Sequence, residues 1–336
     1  MKQSLRILVV GPSWVGDMVM AQSLFMTLKQ QHDNCIIDVL APKWSLALID
    51  RMPEVRKAVV MPLGHGQFDF KGRKALGIKL RNEQYDWAIA LPNSWKSALI
   101  PYFANIPKRT GYLGEMRWGL LNDSRKLNKQ HLTKTVQRFV ALATKPSDKL
   151  PTIPQPHLLI DPVRVKAVKH KFEIGQSNAQ ILGLCPGAEY GPAKRWPEEH
   201  YAEVAKHAIA KGWQVFLLGS NKDQQVTANI NALIDNKCRD FAAKTSLTEA
   251  LDLISICSQI ISNDSGLMHV AAALNIKTIA LYGSSDPNFT PPLNPKADVV
   301  SLRLPCSPCF KRKCPLEHLD CLKKITPYRV IKLTSF

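Results

Sequence analysis

Two short stretches combine residues able to manage a proton and an anion. In the first, a glycine turn leads to an acid: Gly11-Pro12-Ser13-Trp14-Val15-Gly16-Asp17. An acid in the first turn of a helix is favoured by the helix dipole, and capping alone would account for Asp17. A carboxylate held ionised at the carboxyl end of a strand also sits where open α/β sheets place ligands, and there it can act as a general base. The second stretch is Asn263-Asp264-Ser265-Gly266-Leu267-Met268-His269. Small and polar residues stand where a strand becomes a helix, so unpaired backbone N–H groups can receive phosphates. His269, one turn further on, reaches the same anion. The plainer alternative is that Ser265 caps the helix and His269 packs. Between the two lie Lys194 and Arg195, in a loop shaped by glycine and proline, Pro186 to Pro197. A cation there can neutralise charge growing on a departing diphosphate. An exposed loop pair is the alternative.

Further polar and cationic groups fall on loops after apolar runs. They are His65 in Leu63-Gly64-His65-Gly66, then Asn93, Ser94 and Lys96, then Arg109 and Arg117. A solvated face explains any one of them; several together point to an anionic acceptor. Four cysteines, Cys306-x2-Cys309-x4-Cys314-x6-Cys321, close the chain. Their short spacings could hold a structural metal such as zinc, or they are redox-labile or simply free thiols. Cys35, Cys185, Cys238 and Cys257 sit in apolar surroundings and read as core fillers. No Asp-x-Asp diphosphate–metal motif is evident, so no obligatory metal is expected.

These groups need a frame. Leu5–Val10 is a buried strand by its apolar run, and a helical pattern begins at Gly16. Apolar runs at 36–41, 58–61 and 87–91 alternate with helical patterns at about 43–51 and 70–83. After the proline-rich stretch 149–156 the alternation resumes, with strands at 181–185, 212–218, 260–262 and 278–282. Such alternation implies parallel sheets with helices on both faces. The fold class is α/β, two facing Rossmann-like doubly wound domains with the cleft between them as the default site. The expected domains are 1–156 and 157–325, followed by a terminal helix in 326–336 capped at Thr326.

The 336 residues carry a net charge of +18. Residues 1–157 hold 23 Lys and Arg against 11 Asp and Glu, so the amino half carries most of the excess. Such a field favours phosphates, nucleic acid or an anionic membrane face. No nucleic-acid-binding signature accompanies it, which favours phosphorylated small molecules or lipids. No run of about 18 apolar residues exists, and the chain opens on a strand without a signal peptide's apolar block. A cytosolic monomer is expected.

Taken together, the glycine turn with Asp17, Met61-Pro62-Leu63-Gly64-His65-Gly66, Leu91-Pro92-Asn93-Ser94, Cys185 to Pro197 and Asn263 to His269 resemble the ADP-heptose–lipopolysaccharide heptosyltransferases along nearly the whole chain. The resemblance implies a two-domain GT-B fold, with the nucleotide sugar mainly on the carboxyl domain and the acceptor mainly on the amino domain. The terminal helix would cross back to the first domain. It implies inverting transfer of heptose from ADP-heptose to the first heptose of the lipopolysaccharide inner core, at the cytoplasmic face of the inner membrane. Position by position, Asp17 matches the base and Lys194 the lysine on the donor phosphates. Asp264, Ser265, Gly266 and His269 match the nucleotide-diphosphate segment, and Ser13 joins the donor group. A ribose-contacting Glu of related enzymes is absent; Gly219-Ser220-Asn221-Lys222-Asp223 stands there, leaving Asn221 or Asp223 for the ribose. His65, Asn93, Ser94, Lys96, Arg109 and Arg117 form the expected acceptor set. A sister enzyme with another core acceptor, a sugar-nucleotide epimerase and a nucleic-acid-binding protein are the competing readings.

Overall fold

A computed structural model describes residues 4–63, 68–146, 149–175 and 179–336. The chain divides into two compact units, Met1–Pro156 and His157–Phe336. The first holds one six-stranded sheet: β1 (Arg6–Val10), β2 (Ile36–Pro42), β3 (Val55–Met61), β4 (Trp87–Ala90), β5 (Lys108–Tyr112) and β6 (Asp123–Arg125). The second holds β7 (Ile181–Cys185), β8 (Gln214–Leu217), β9 (Arg239–Asp240), β10 (Gln259–Asn263), β11 (Lys277–Tyr282) and β12 (Ala297–Ser301). Every neighbouring pair is parallel. The strand orders are β3-β2-β1-β4-β5-β6 and β9-β8-β7-β10-β11-β12. Both follow the doubly wound order in which the chain reverses direction between the first and fourth strands.

The central strands are apolar on both faces because helices cover both, as all-parallel sheets require. Ile7, Leu8 and Val9 have no exposure, and neither do Ile260 and Ile261. Buried polar side chains interrupt the first sheet, Asp38 in β2 and Thr110 in β5 among them. Asp38, fully buried in β2, accepts from Arg56 Nε at 2.9 Å and from Tyr85 Oη at 2.6 Å. Burial, then the neighbouring carboxylate, raises the Tyr85 hydroxyl far above its usual range.

One feature differs from the sequence expectation. The stretch Lys108–Tyr112 is a strand rather than a loop, paired between β4 and β6, and β6, β9 and β12 are edge strands. The terminal helix, Pro327–Ile331, is capped by Thr326 Oγ1 as expected. Ile325 and Val330 pack into the second unit's core with Trp196, Tyr201 and Val204, and Leu333 and Phe336 lie against it. Trp196 Nε1 donates to Ile325 O at 2.8 Å, and Phe336 meets Trp213 edge to face. The apolar spacing of the tail serves this core.

Candidate active site

In sheets of this order, ligands lie beyond the carboxyl ends of the strands at the reversal point. In the first unit that point lies between β1 and β4, where Val10 stands opposite Ala90. In the second it lies between β7 and β10. The loops leaving these four strands carry Gly11–Asp17, Leu91–Lys96, Pro186–Pro197 and Asp264–His269, so topology selects the stretches already singled out.

The second unit's half is the more built. Lys194 Nζ stands 2.5 Å from Asp264 Oδ2, with the carboxylate buried and the lysine mostly so. The lysine also lies 5.3 Å above the Tyr190 ring. The helix Gly266–Ala273 starts at Ser265, whose hydroxyl does not cap it. That hydroxyl pairs instead with Ser262 Oγ at 3.1 Å. Among the described residues the first-turn N–H groups are therefore left without a side-chain cap, the condition for anion binding. His269 is buried, and burial lowers its pKa to about 4; Asp264 opposes the shift and Lys194 adds to it. At neutral pH the imidazole is uncharged and can hydrogen-bond without repelling Lys194.

Asn263 holds this half together. Its Oδ1 accepts from Trp196 N at 3.0 Å and Tyr201 Oη at 3.1 Å, and its Nδ2 donates to Pro186 O at 2.6 Å. One buried amide thus ties both ends of the Lys194 loop to β10. Gly187 is needed here, because a Cβ would meet the Asp223 carboxylate at 2.3 Å. Of the two ribose candidates, Asp223 is buried and accepts from Ser220 N at 2.9 Å and Ser220 Oγ at 2.8 Å, and it lies 3.8 Å from Arg195. Its carboxylate is occupied in shaping the turn, whereas Asn221 is exposed.

The first unit's half is simpler. Asp17 is half-buried in the first turn of the helix Val15–Gln31, with Trp14 at its N-cap and Ser13 exposed before it. Gly11 packs closely: a Cβ would lie 2.7 Å from Met18 Cε, which would have to shift, while Gly11 N donates to Leu40 O at 2.8 Å. After β4, Asn93 is exposed, and Ser94 starts the helix Trp95–Phe103 without capping it by its side chain. Glu115 supplies that acceptor, taking Trp95 N at 3.0 Å. Lys96 is half-buried beside it. His65 lies outside the described residues.

Two of the expected acceptor cations are structural. Arg117 is 1% exposed; it donates to Pro92 O at 2.8 Å and also to Tyr112 O. Burial lowers its pKa. Arg109 donates to Leu120 O at 2.7 Å and Ile106 O at 2.6 Å. Both guanidiniums are thus engaged with backbone carbonyls that need donors.

The family pattern described as glycosyltransferase family 9 (heptosyltransferase) matches residues 73–320. The chain belongs to this family. It is 48% identical to lipopolysaccharide heptosyltransferase 2 of Salmonella typhimurium, covering 98% of this chain and 97% of that one. The solved E. coli ADP-heptose lps heptosyltransferase II is 45% identical, with a TM-score of 0.86 over 98% of this chain and 97% of that chain. The E. coli heptosyltransferase WaaC with ADP shares the fold at 19% identity, with a TM-score of 0.73 over 98% of each chain. The two-domain α/β architecture of this heptosyltransferase chain is therefore GT-B.

Sequence reasoning missed the wall behind the Lys194 loop. Tyr190 Oη donates to Phe310 O at 2.8 Å, Ala193 N donates to Arg312 O at 3.0 Å, and the Arg312 guanidinium lies 5.3 Å over the Tyr190 ring. Gly191, at φ +155°, packs where a Cβ would meet Arg312 O at 2.5 Å. The four tail cysteines lie behind this wall, lining one small cavity with Ala193, Ser284 and His318. Burial, then the other three thiols, raises Cys321 to about 11. Among the described residues no group of three or more His, Cys, Asp or Glu is arranged to hold a metal ion.

Proposed function

We propose that the chain transfers heptose from ADP-heptose to the first heptose of the lipopolysaccharide inner core with inversion. The observation that carries this is Lys194 on Asp264 beside an uncapped helix N-terminus and a neutral His269, an arrangement at the reversal point of the second sheet that suits a diphosphate. The family supports the sugar and the acceptor class, since its relatives are named for them.

In this reading Asp17 takes the proton of the acceptor hydroxyl as it attacks the anomeric carbon, and the bond to ADP breaks in line. Charge then develops on the β-phosphate. Lys194 turns from Asp264 towards it, and the helix N–H groups at Gly266 and Leu267 are already aimed there. His269 donates a hydrogen bond, Asn221 serves the ribose, and Ser13 adds a hydroxyl to the donor. Asn93, Ser94, Lys96 and His65 form the acceptor set. No obligatory metal enters the reaction. The enzyme acts as a monomer at the cytoplasmic face of the inner membrane, where its acceptor lies. Among the described residues no helix is long and apolar enough to cross a membrane, and the attachment proposed is peripheral.

The test is ADP release from ADP-heptose with and without heptosyl-Kdo-lipid A, with mass analysis of the lipid. Acceptor-dependent release and a lipid heavier by one heptose are expected. Turnover only with another core lipid would change the step, and silence with every acceptor would overturn the reading.

A further inference from the structure

The first unit exposes aromatic rings in one continuous chain. Phe68 lies 5.1 Å from Trp95 and 6.5 Å from Phe70, Phe70 lies 5.5 Å from Phe103, and Phe103 lies 5.4 Å from Tyr102. Phe68 is 53% exposed, and Phe70 and Tyr102 are each 43% exposed. The loop held to Trp95 N by Glu115 adds Met116 and Trp118, exposed by 78% and 72%. A patch of this kind on a folded surface marks a binding face rather than chance exposure.

Its charge says what it faces. Residues 68–118 hold nine Lys and Arg against four Asp and Glu. All four acids are engaged inside the protein: Asp69 caps Gly72 N, Glu83 pairs with Lys57, Asp86 accepts from Arg6 N and Glu115 accepts from Trp95 N. Lys71, Lys74 and Lys79 are exposed on the helix Phe70–Leu80, with Lys74 Nζ 5.9 Å from the Phe103 ring. Trp, Tyr and Phe with interleaved lysines suit the headgroup level of a bilayer. Rings enter the apolar boundary while ammonium groups meet lipid phosphates. The helix that starts beside Asn93 and Ser94 carries Trp95, Tyr102 and Phe103, so the patch continues from the acceptor half of the site.

We infer that this face docks the enzyme on an anionic lipid bilayer, seating the acceptor loops at the headgroups. The inference deepens the proposed function and rests on its lipid-borne acceptor. The test is co-sedimentation of the full chain with phosphatidylglycerol–phosphatidylethanolamine vesicles and with phosphatidylcholine vesicles. Binding to the anionic vesicles, weakened by salt, is expected. Phe70→Ser with Trp118→Ser should lower it at least tenfold with unchanged thermal unfolding. Tyr328→Ser, an exposed aromatic under Lys332 in the second unit, should leave it intact. The double variant should keep its turnover on a deacylated, water-soluble acceptor and lose it on acceptor embedded in vesicles. Equal vesicle binding by variant and parent, or none by either, would overturn the docking face. So would light scattering that shows the patch joining two copies of the chain. Failure of the soluble-acceptor assay with intact vesicle binding would instead overturn the transferase reading alone.

Discussion

The two sheets share one strand order, yet their reversal points carry opposite equipment. At the first, a carboxylate, Asp17, sits in the opening turn of a helix and answers the helix dipole from within. At the second, the corresponding helix is left uncapped, and the nearest acid, Asp264, is neutralised by Lys194. In the proposed reaction the first point accepts a proton and the second an anion. On that reading one architecture serves both halves of the transfer, and the distinction rests on which group occupies the helix start. The ion pairs differ in the same sense. Asp38 is closed on by Arg56 and Tyr85, and Arg56 is engaged further by Glu83, which makes a finished structural knot. Lys194 pairs with Asp264 and retains N–H groups for a ligand.

The comparison breaks most sharply at Asp17. Asp17→Asn should cost roughly 10²–10⁴-fold in turnover, the range of a general base, with ADP affinity nearly unchanged by calorimetry. Near-normal turnover would remove Asp17 from that role. Lys194→Met should cost roughly 10²–10³-fold in kcat/KM and weaken ADP binding. It should also destabilise the fold by about 3 kcal/mol, because buried Asp264 loses its partner. Adding Asp264→Asn should recover the stability but not the turnover; recovery of both would make the pair purely structural.

His269 sharpens the contrast through pH. Its folded pKa of about 4 lies below the ordinary 6.5, so the unfolded chain binds the proton first. Stability should fall as pH drops from about 6.5 towards 4, by roughly 3 kcal/mol in total. Denaturant unfolding of His269→Gln should lack this loss, and parallel pH curves for variant and parent would refute it. The smallest effect belongs to Ser265→Ala. Its hydroxyl bonds Ser262 rather than the helix, so ADP affinity should change less than about threefold. A larger loss would give Ser265 a direct part in binding.

Much of this was legible in the residues. Apolar runs mark the central strands because both faces are buried, and small residues after β1, β7 and β10 mark the turns because only they allow close approach. Strands β5, β6 and β9 were not legible; Lys108-Arg109, Asp123-Ser124 and Arg239-Asp240 offer no apolar run, and backbone pairing alone makes them strand. Arg109 and Arg117 show why charge alone misleads. A sequence reveals a cation but not the carbonyls that claim it, and those carbonyls come from loops whose course tertiary packing decides. Asn263 is the converse, a polar residue in a motif whose role as a tie appears only once Pro186 and Trp196 are brought beside it.

The wall behind the Lys194 loop has a consequence for the order in which the protein is made. Tyr190 and Phe310 are 120 positions apart, and Trp196 closes on Ile325 across 129. At roughly 5–20 residues per second, a ribosome needs about 6–24 s to deliver the tail after the loop has been synthesised. Through that interval the strands of the second sheet can assemble up to β12 while Tyr190 and Ala193 still lack their carbonyl partners. The ties of the Lys194 loop are thus completed only after the strands of the second sheet, and a chain broken before Phe310 would carry those strands with the loop still unfastened.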